Sequence, residues 1–287
     1  MSQIKIATLA TCYNRAEKTE RALKGILSQD LGQDVLIQNF IVDDQCSDNT
    51  VQLAKNADKN ITILTSPGGL YWAGGMRFGY EHVKSDFSFD FFLFYNDDVE
   101  FEKDALKTML EVAREEGDVG AIVGNIRSKL SGASTYGLKK IYWKLFPIKY
   151  KLVSPSMSVK SYGHTMNMNA VLVPTSVLEK IGFLSDRYQH SQADIEFGYR
   201  IYKSGLKVVS PHGYQGSCEL NEKSGSSFEQ DIRLKERFLR LGKIKEMPFR
   251  QNYAFNIQMY GAKGVFFLAT PYLKIFFMHF LYKIFRK

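Results

Sequence analysis

The sequence has few cysteines, and their positions exclude two kinds of small scaffold. The three cysteines are Cys12, Cys46 and Cys218. An odd number of cysteines without the short spacings of metal-binding motifs supports neither a disulfide framework nor a zinc site. We therefore expect a protein of the reducing cytoplasm.

The sequence also lacks the signals of export and of nucleic-acid binding. Its N-terminus has no long apolar core of the kind found in signal peptides, so we expect the body of the protein to stay inside the cell. The formal charge of +8 would suit a nucleic-acid partner. However, zinc-finger, RNA-recognition and basic heptad signatures are all missing, and no nucleic-acid partner is expected.

Much of the positive charge lies in two segments that also contain many aromatic residues, 138–151 and 264–287. Basic and aromatic residues together favour an anionic membrane surface. Pro271 and Lys274 interrupt what would be a minimal membrane span, so the tail is predicted to form an interfacial helix. A helix that packs in the core or joins two copies in a homodimer is the alternative.

The 287 residues, of which 45% are hydrophobic, suffice for one large or two small domains. Apolar runs alternate with segments of helical spacing, which predicts βαβ units and a parallel sheet. Strands are predicted at 4–11, 36–42, 61–65, 91–95, 119–123 and 169–174. Helices are predicted at 16–29, near 50, from 72, at 103–115, at 175–182 and at 195–204. Residues 124–165 carry no regular pattern.

Acidic residues follow two of the predicted strands directly. Asn96, Asp97 and Asp98 end the run from Phe91 to Tyr95, and Asp43 and Asp44 end the second strand. Ligands of open α/β sheets bind at the carboxyl ends of the strands. Adjacent carboxylates suit Mg²⁺ or Mn²⁺. A solvated turn or a helix N-cap is the alternative interpretation of Asp97 and Asp98.

A glycine-rich segment, residues 72–77, follows the third strand. Gly74 and Gly75 at a helix start would let backbone N–H groups approach an anion, and Arg77 could neutralise a diphosphate. Close packing of the helix is the alternative explanation of the two glycines. The fingerprint Gly-x-Gly-x-x-Gly is missing after the first strand, which argues against a nicotinamide-dependent enzyme.

Four motifs in a fixed order resemble the family 2 glycosyltransferases. They are Thr11-Cys12-Tyr13-Asn14-Arg15, residues 42–50, Asn96-Asp97-Asp98, and Gly182-Phe183-Leu184-Ser185 followed by residues 194–200. The resemblance implies the GT-A fold, a Rossmann-like, mostly parallel sheet flanked by helices. We expect this domain to cover residues 1–245 and a C-terminal membrane-association segment to cover residues 246–287.

The resemblance also implies a role for individual residues. Asp194 is the expected catalytic base, and Asp98 is the expected ligand of Mg²⁺ or Mn²⁺, with His212 as a second candidate ligand. The expected donor-binding residues are Thr11, Tyr13, Arg15, Asp43, Asp44, Trp72, Gly74, Gly75, Arg77, Asn96 and Asp97.

The sequence departs from the pattern of the family at three of these places. Asn96 stands where the family has its first acid, and Ala193 stands where a Glu often precedes the base. His212 is too close to Pro211 to match the histidine with which many relatives hold the metal. In addition, Glu196 and Arg200 could form a structural ion pair instead of contacting the acceptor.

The function implied by the resemblance is inverting transfer of a hexose from a nucleoside diphosphate sugar to a hydroxyl of a glycan acceptor. UDP-hexoses and dTDP-rhamnose both fit as donors. We expect a lipid-linked acceptor, a role in surface polysaccharide assembly, and a location on the inner face of the cell membrane. A catalytically inactive nucleotide-sugar-binding subunit is the alternative. A nucleotidyltransferase is disfavoured because no basic glycine-rich loop follows the first strand.

Overall fold

A central sheet with helices on both faces forms the core of the protein. The computed structural model describes residues 3–85, 89–143, 149–221 and 224–285. The strands of the central sheet, in chain order, are β1 (Ile4–Cys12), β2 (Val35–Asp43), β3 (Thr62–Thr65), β4 (Phe91–Tyr95), β6 (Val119–Val123), β11 (Ser161–Gly163), β13 (Ala170–Pro174) and β14 (Lys207–Ser210). The helices are α1 (Ala16–Leu27), α2 (Thr50–Ala57), α3 (Tyr71–Val83), α4 (Ala105–Glu115), α5 (Thr175–Ile181), α6 (Ala193–Lys203), α7 (Leu234–Leu241), α8 (Phe249–Tyr260) and α9 (Thr270–Phe285).

The order of the sheet is β11-β14-β6-β13-β4-β1-β2-β3. Strands β4, β1, β2 and β3 run parallel to one another, and β14 runs parallel to β6. Helices cross over between β1, β2 and β3, which is why these strands run in one direction. Strand β13 instead runs antiparallel between β4 and β6, because short strands rather than one crossover helix occupy the chain between β6 and β13. The predicted mostly parallel sheet is confirmed, with β13 and the edge strand β11 reversed.

Alternate residues of the strands face two separate cores. Phe92 and Phe94 pack on the side of α3, α5, α6 and α8. Leu93 and Tyr95, which lie between them, pack on the side of α1 and α4. Because successive side chains of a strand point to opposite faces, a wholly apolar run such as β4 requires a cover on both sides. The predicted strands and helices outside residues 124–165 are confirmed to within a few residues.

Residues 124–165 form short strands that the sequence did not predict. A four-stranded sheet consists of β5 (Glu100–Phe101), β7 (Ile126–Arg127), β8 (Ser134–Tyr136) and β15 (Gly216–Ser217). A three-stranded sheet consists of β9 (Leu138–Trp143), β10 (Lys149–Leu152) and β12 (Thr165–Met166). Runs of two to six residues are too short for periodicity to be recognised. Residues 144–148 of the basic aromatic segment lie outside the described residues.

The C-terminal helices pack partly on the main core. Phe255 and Met259 of α8, which follows the predicted boundary at residue 245, belong to the same buried cluster as α6. A short 3₁₀ helix, Gly261–Phe267, connects α8 to α9. The division into residues 1–245 and 246–287 stays a prediction.

No single helix within the described residues is long and apolar enough to cross a membrane. The segments Phe249–Phe267 and Thr270–Tyr282 meet that criterion only when taken together, as a pair bent by 55°.

Candidate active site

A cleft of about 600 Å³ lies at the carboxyl ends of β1, β2 and β4. Strand ends supply Thr11, Tyr13, Asp44, Asp97 and Asp98 to its walls. These side chains come from distant parts of the sequence, and the parallel arrangement of the strands places them at one edge of the sheet. The cleft is therefore where the sequence predicted a ligand site.

Asp97 and Asp98 converge on one guanidinium group. Nη1 of Arg15 lies 3.0 Å from Oδ1 of Asp97 and 3.0 Å from Oδ2 of Asp98. Asp97 is only 5% exposed, and burial raises its pKa to about 6, although the nearby Arg15 acts in the opposite direction. The two carboxylates therefore belong to a charged site and not to a solvated turn or a helix N-cap.

The arrangement of these carboxylates fits a divalent cation. Oδ1 of Asp97 and Oδ2 of Asp98 both lie 3.0 Å from Nη1 of Arg15, so the two oxygen atoms point at a common position. Oxygen ligands of this kind suit Mg²⁺ or Mn²⁺. Oδ1 of the adjacent Asn96 is buried and has no hydrogen-bond partner among the described residues. Asp97 and Asp98 are therefore the residues that could hold the metal.

Asp44 is bound by the start of α3. Its carboxylate accepts hydrogen bonds from Oγ of Ser66 (2.7 Å) and from the backbone N–H groups of Leu70 (3.1 Å) and Tyr71 (3.2 Å). Negative charge at a helix N-terminus is stabilising. Asp44 therefore fixes the loop that carries Tyr71 into the cleft. Asp43 does not line the cleft, and its Oδ1 accepts the N–H of Cys46 at 2.7 Å.

Asp194 lines the same cleft from the start of α6. Its Oδ2 accepts a hydrogen bond from Nδ2 of Asn167 (2.9 Å), and its Oδ1 accepts the N–H of Ile195 (2.8 Å). The carboxylate is thus oriented by two donors while it stays in contact with the cleft. Sequence reasoning missed Asn167, which lies in the short connection between β12 and β13.

Comparisons with known proteins show the family of the chain. The sequence model of the family described as "Glycosyl transferase family 2" matches residues 9–172, more than half of the chain. The chain belongs to glycosyl transferase family 2. No curated protein matches the sequence.

Two solved structures resemble this glycosyltransferase. The first is TarS of S. aureus, with a TM-score of 0.56 and 11% identity over 91% of this chain and 44% of TarS. The second is the mannosyltransferase PcManGT from Pyrobaculum calidifontis in complex with GDP-Man and Mn²⁺, with a TM-score of 0.56 and 15% identity over 94% of this chain and 76% of that protein. At these identities the likeness shows the GT-A fold alone. The chain spans less than half the length of TarS.

Four residues of the glycine-rich segment were expected to bind the donor sugar nucleotide. Among them, Trp72 is the one that lines the cleft. Its Nε1 atom is buried and has no hydrogen-bond partner among the described residues. The same is true of Oγ1 of Thr11. Gly75 packs on β1, and a Cβ atom at this position would lie 2.4 Å from Cγ2 of Thr11. Nη1 of Arg77 donates to the carbonyl of Tyr188 at 2.6 Å. Helix packing therefore accounts for Gly75, and Arg77 holds a loop instead of facing the cleft.

Two further expectations differ in outcome. Glu196 and Arg200 form the structural ion pair, with Oε1 and Nε 2.8 Å apart. His212 is exposed and is not among the residues that line the cleft. Cys218, six residues beyond His212, does line the cleft. Burial and the nearby Asp98 carboxylate raise the pKa of Cys218 to about 12.

The remaining walls of the cleft include His190, a candidate acceptor contact in the sequence, and Gln192, which the sequence did not single out. Burial lowers the pKa of His190, and Lys245 acts in the same direction, whereas Asp194 opposes them. Nδ1 of His190 and Oε1 of Gln192 are buried and have no partner among the described residues. Polar atoms without a partner inside a cleft are expected to bind ligand or water. Gln192 could have been suspected only from its closeness in sequence to Asp194.

Proposed function

We propose that this protein is an inverting, metal-dependent hexosyltransferase that uses a nucleoside diphosphate sugar and a glycan acceptor. One observation supports this most strongly. The same cleft contains the convergent pair Asp97 and Asp98 and a separate carboxylate, Asp194, which is oriented by Asn167. Glycosyl transfer requires both parts, one for the leaving diphosphate and one for the attacking hydroxyl.

Asp97 and Asp98 would hold Mg²⁺ or Mn²⁺ at the donor end of the cleft. The cation supplies positive charge that stabilises the diphosphate as the glycosidic bond breaks. Arg15 now contacts both carboxylates, and its side chain is 42% exposed. A cation bound there would compete with the guanidinium of Arg15, which is well suited to bind a phosphate oxygen instead.

Asp194 is proposed as the general base at the acceptor end. As the acceptor oxygen bonds to the anomeric carbon, the bond from that carbon to the diphosphate oxygen breaks, and the hydroxyl proton passes to Asp194. Attack opposite the leaving group inverts the anomeric centre. The hydrogen bonds from Asn167 and Ile195 keep the carboxylate aimed into the cleft. Trp72, His190 and Gln192 offer unpaired polar atoms to the hydroxyls of a sugar.

The acceptor is proposed to be a lipid-linked glycan at the cytoplasmic face of the cell membrane. Large apolar side chains of the C-terminal segment are in solvent, including Phe266 (78% exposed) and Phe277 (61% exposed). Exposed apolar side chains in a basic helical segment favour binding at a membrane interface. Attachment there would bring the cleft close to an acceptor that is anchored in the bilayer.

The experiment that tests the proposal is a donor screen with Mn²⁺, Mg²⁺ or chelator present. UDP-hexoses, dTDP-rhamnose and GDP-mannose are compared by thermal stabilisation and by release of the nucleoside diphosphate. We expect one donor to stabilise the protein and to be hydrolysed slowly, and chelator to abolish the hydrolysis. Binding without turnover across a panel of acceptors would support the inactive subunit. Release of pyrophosphate from a nucleoside triphosphate would contradict glycosyl transfer.

A further inference from the structure

Three potential metal ligands meet at the ends of β1 and β2, beside the cleft, which Cys12 lines. They are Cys12, Asp43 and Cys46, and their ligand atoms all lie within 4.8 Å of one another. Cys12 and Asp43 are paired across the two strands. Gln45, with a φ of 67°, turns the chain so that Cys46 comes back towards Cys12. The tertiary structure thus joins cysteines that are 34 residues apart in sequence.

The distance between the two sulfur atoms fits a tetrahedral metal. In a zinc site with zinc–sulfur bonds of about 2.3 Å, two sulfur ligands lie about 3.8 Å apart. The Sγ atoms of Cys12 and Cys46 are 3.8 Å apart. Two soft sulfur ligands and one carboxylate favour Zn²⁺ over Mg²⁺ or Mn²⁺, which prefer sites made of oxygen atoms. The cluster therefore differs in chemistry from the pair Asp97 and Asp98.

The loops that carry these ligands are held in place by their own hydrogen bonds. The N–H of Cys46 donates to Oδ1 of Asp43 (2.7 Å), and the N–H of Asn14 donates to the sulfur of Cys46 (3.3 Å). Oδ1 of Asn14 in turn accepts the N–H of Ser47 at 2.8 Å. The ligands are thus brought together before any cation binds. Cys12 is buried, whereas Cys46 is half-buried and provides the route of entry.

We propose that Cys12, Cys46 and Asp43 form a binding site for a thiophilic divalent cation of the Zn²⁺ type. On binding, two metal–sulfur bonds replace the two S–H bonds, and the two protons pass to solvent. The hydrogen bond from the thiol of Cys12 to the carbonyl of Val42 (3.4 Å) is lost in this step. One oxygen of Asp43 supplies the third ligand and water the fourth. The cation then links the loops that carry Tyr13 and Asp44 into the cleft.

The test uses the full chain, stripped of metal and kept reduced by a phosphine. Zn²⁺ is titrated against a chromophoric chelator in the presence of excess Mg²⁺, and Co²⁺ serves as a spectroscopic probe of thiolate ligation. We expect one Zn²⁺ per chain and a thiolate-to-cobalt charge-transfer band. Cys46→Ser should weaken Zn²⁺ binding by at least about tenfold and lower the intensity of the band, because one of the two thiolates is removed. Asp43→Asn should weaken binding and keep the band.

Cys218→Ser is the matched control, because Cys218 is the third cysteine and is not one of the three clustered ligands. It should leave the affinity for Zn²⁺ unchanged. Thermal unfolding without metal verifies that Cys46→Ser is folded. If this variant does not fold, the cobalt spectrum of the wild-type chain decides whether the thiolates bind metal. Absence of the charge-transfer band in the wild type, or the same Zn²⁺ affinity in Cys46→Ser, would overturn the proposal. Nucleotide-sugar binding is measured separately, so its failure would count only against glycosyl transfer.

Discussion

At the scale of single residues, the three carboxylates of the cleft have different surroundings and therefore different chemical properties. Asp97 is buried and its pKa is raised to about 6. Asp98 shares Arg15 with it but is less buried. Asp194 is bound by a neutral amide, that of Asn167, and by a backbone N–H group. Because the environments of these carboxylates differ, one cleft can contain both a charged donor end and a general base.

Replacing Asp98 by Asn should remove most of the metal-dependent activity. The change removes a charge that is proposed to help hold the cation at the diphosphate, at a cost of roughly 3 kcal/mol in transition-state stabilisation, or about a hundredfold in kcat. Transfer and donor hydrolysis are measured over a range of Mn²⁺ concentrations. Asp104→Asn, at an exposed position before α4, is the matched control and should be close to wild type. Normal turnover by Asp98→Asn with unchanged metal dependence would contradict the assignment.

Replacing Asp194 by Asn should abolish transfer while donor affinity is kept. Asn can still accept the hydrogen bond from Asn167 but cannot take the proton of the acceptor hydroxyl, so kcat should fall by about a hundredfold or more. Donor affinity is measured by calorimetry and transfer by product formation. If donor affinity falls and the maximal rate is kept, Asp194 belongs to the donor site.

Glu116 lies far from the cleft and should stabilise the fold in a pH-dependent manner. Hydrogen bonds from Lys160, Lys207 and Tyr162 lower its pKa to about 2 from an ordinary value of 4.5. A pKa that is lower in the folded state means that the stabilisation is present above 4.5 and is lost as the pH falls towards 2.

The variant Glu116→Gln should therefore lower the free energy of unfolding by about 2 kcal/mol at neutral pH, a value reduced by the partial exposure of Lys207. Denaturant unfolding of both proteins is measured between neutral pH and pH 3, where the difference should shrink. A difference that does not depend on pH would show that Glu116 acts through packing and not through its charge.

At the scale of elements, α3 connects both ends of the cleft. Asp44 binds its first turn, and Arg77 reaches from its middle to the carbonyls of Ser185 and Tyr188. Burial lowers the pKa of Arg77. The helix therefore positions the loop that precedes Asp194, and close contact with β1 through Gly75 holds it against the sheet.

Gly75→Ala should destabilise the protein because its new methyl group would overlap the side chain of Thr11. Overpacking of this kind costs about 1–3 kcal/mol. Gly117→Ala is the matched control, since a Cβ atom at Gly117 meets no atom within 4 Å. Unfolding by denaturant compares the two variants. Equal stability of both would show that α3 can shift away from β1 without cost.

At the scale of the whole molecule, the C-terminal segment has a buried side and an exposed side. Phe267 and Ile275 are buried, so deletion of residues 264–287 would uncover part of the interior. Phe266 and Phe277 point into solvent. Core packing and membrane binding can therefore be separated by changing only the exposed side chains.

The double variant Phe266→Ser/Phe277→Ser should bind anionic vesicles more weakly while donor hydrolysis is unchanged. Replacing one phenylalanine should reduce the free energy of membrane binding by no more than about 1.5–3 kcal/mol, the value for full burial of such a side chain. Sedimentation with phosphatidylglycerol vesicles, at low and high salt, measures the change. Leu130→Ser removes an exposed apolar side chain elsewhere (89% exposed) and should bind as wild type does. If the wild-type protein does not bind vesicles, the exposed side belongs to a protein interface.

The sequence by itself determined the alternation of strands and helices, the acids at the ends of β2 and β4, and the family. These features are local, because a strand or helix shows its period within about ten residues and a strand end is visible where the apolar run stops. The ion pair of Glu196 and Arg200 is also a local feature, since the two residues are about one helical turn apart. None of these conclusions required knowledge of the neighbours in space.

Only the tertiary structure decided which polar residues face the cleft. Arg77 binds loop carbonyls more than 100 residues away, Asn167 reaches Asp194 from an irregular region, and β13 runs against its neighbours. Cys12 and Cys46 likewise form a cluster that their spacing does not suggest. The physical reason is that side-chain direction and long-range strand pairing depend on how the elements pack, and sequence separation carries no information about that packing.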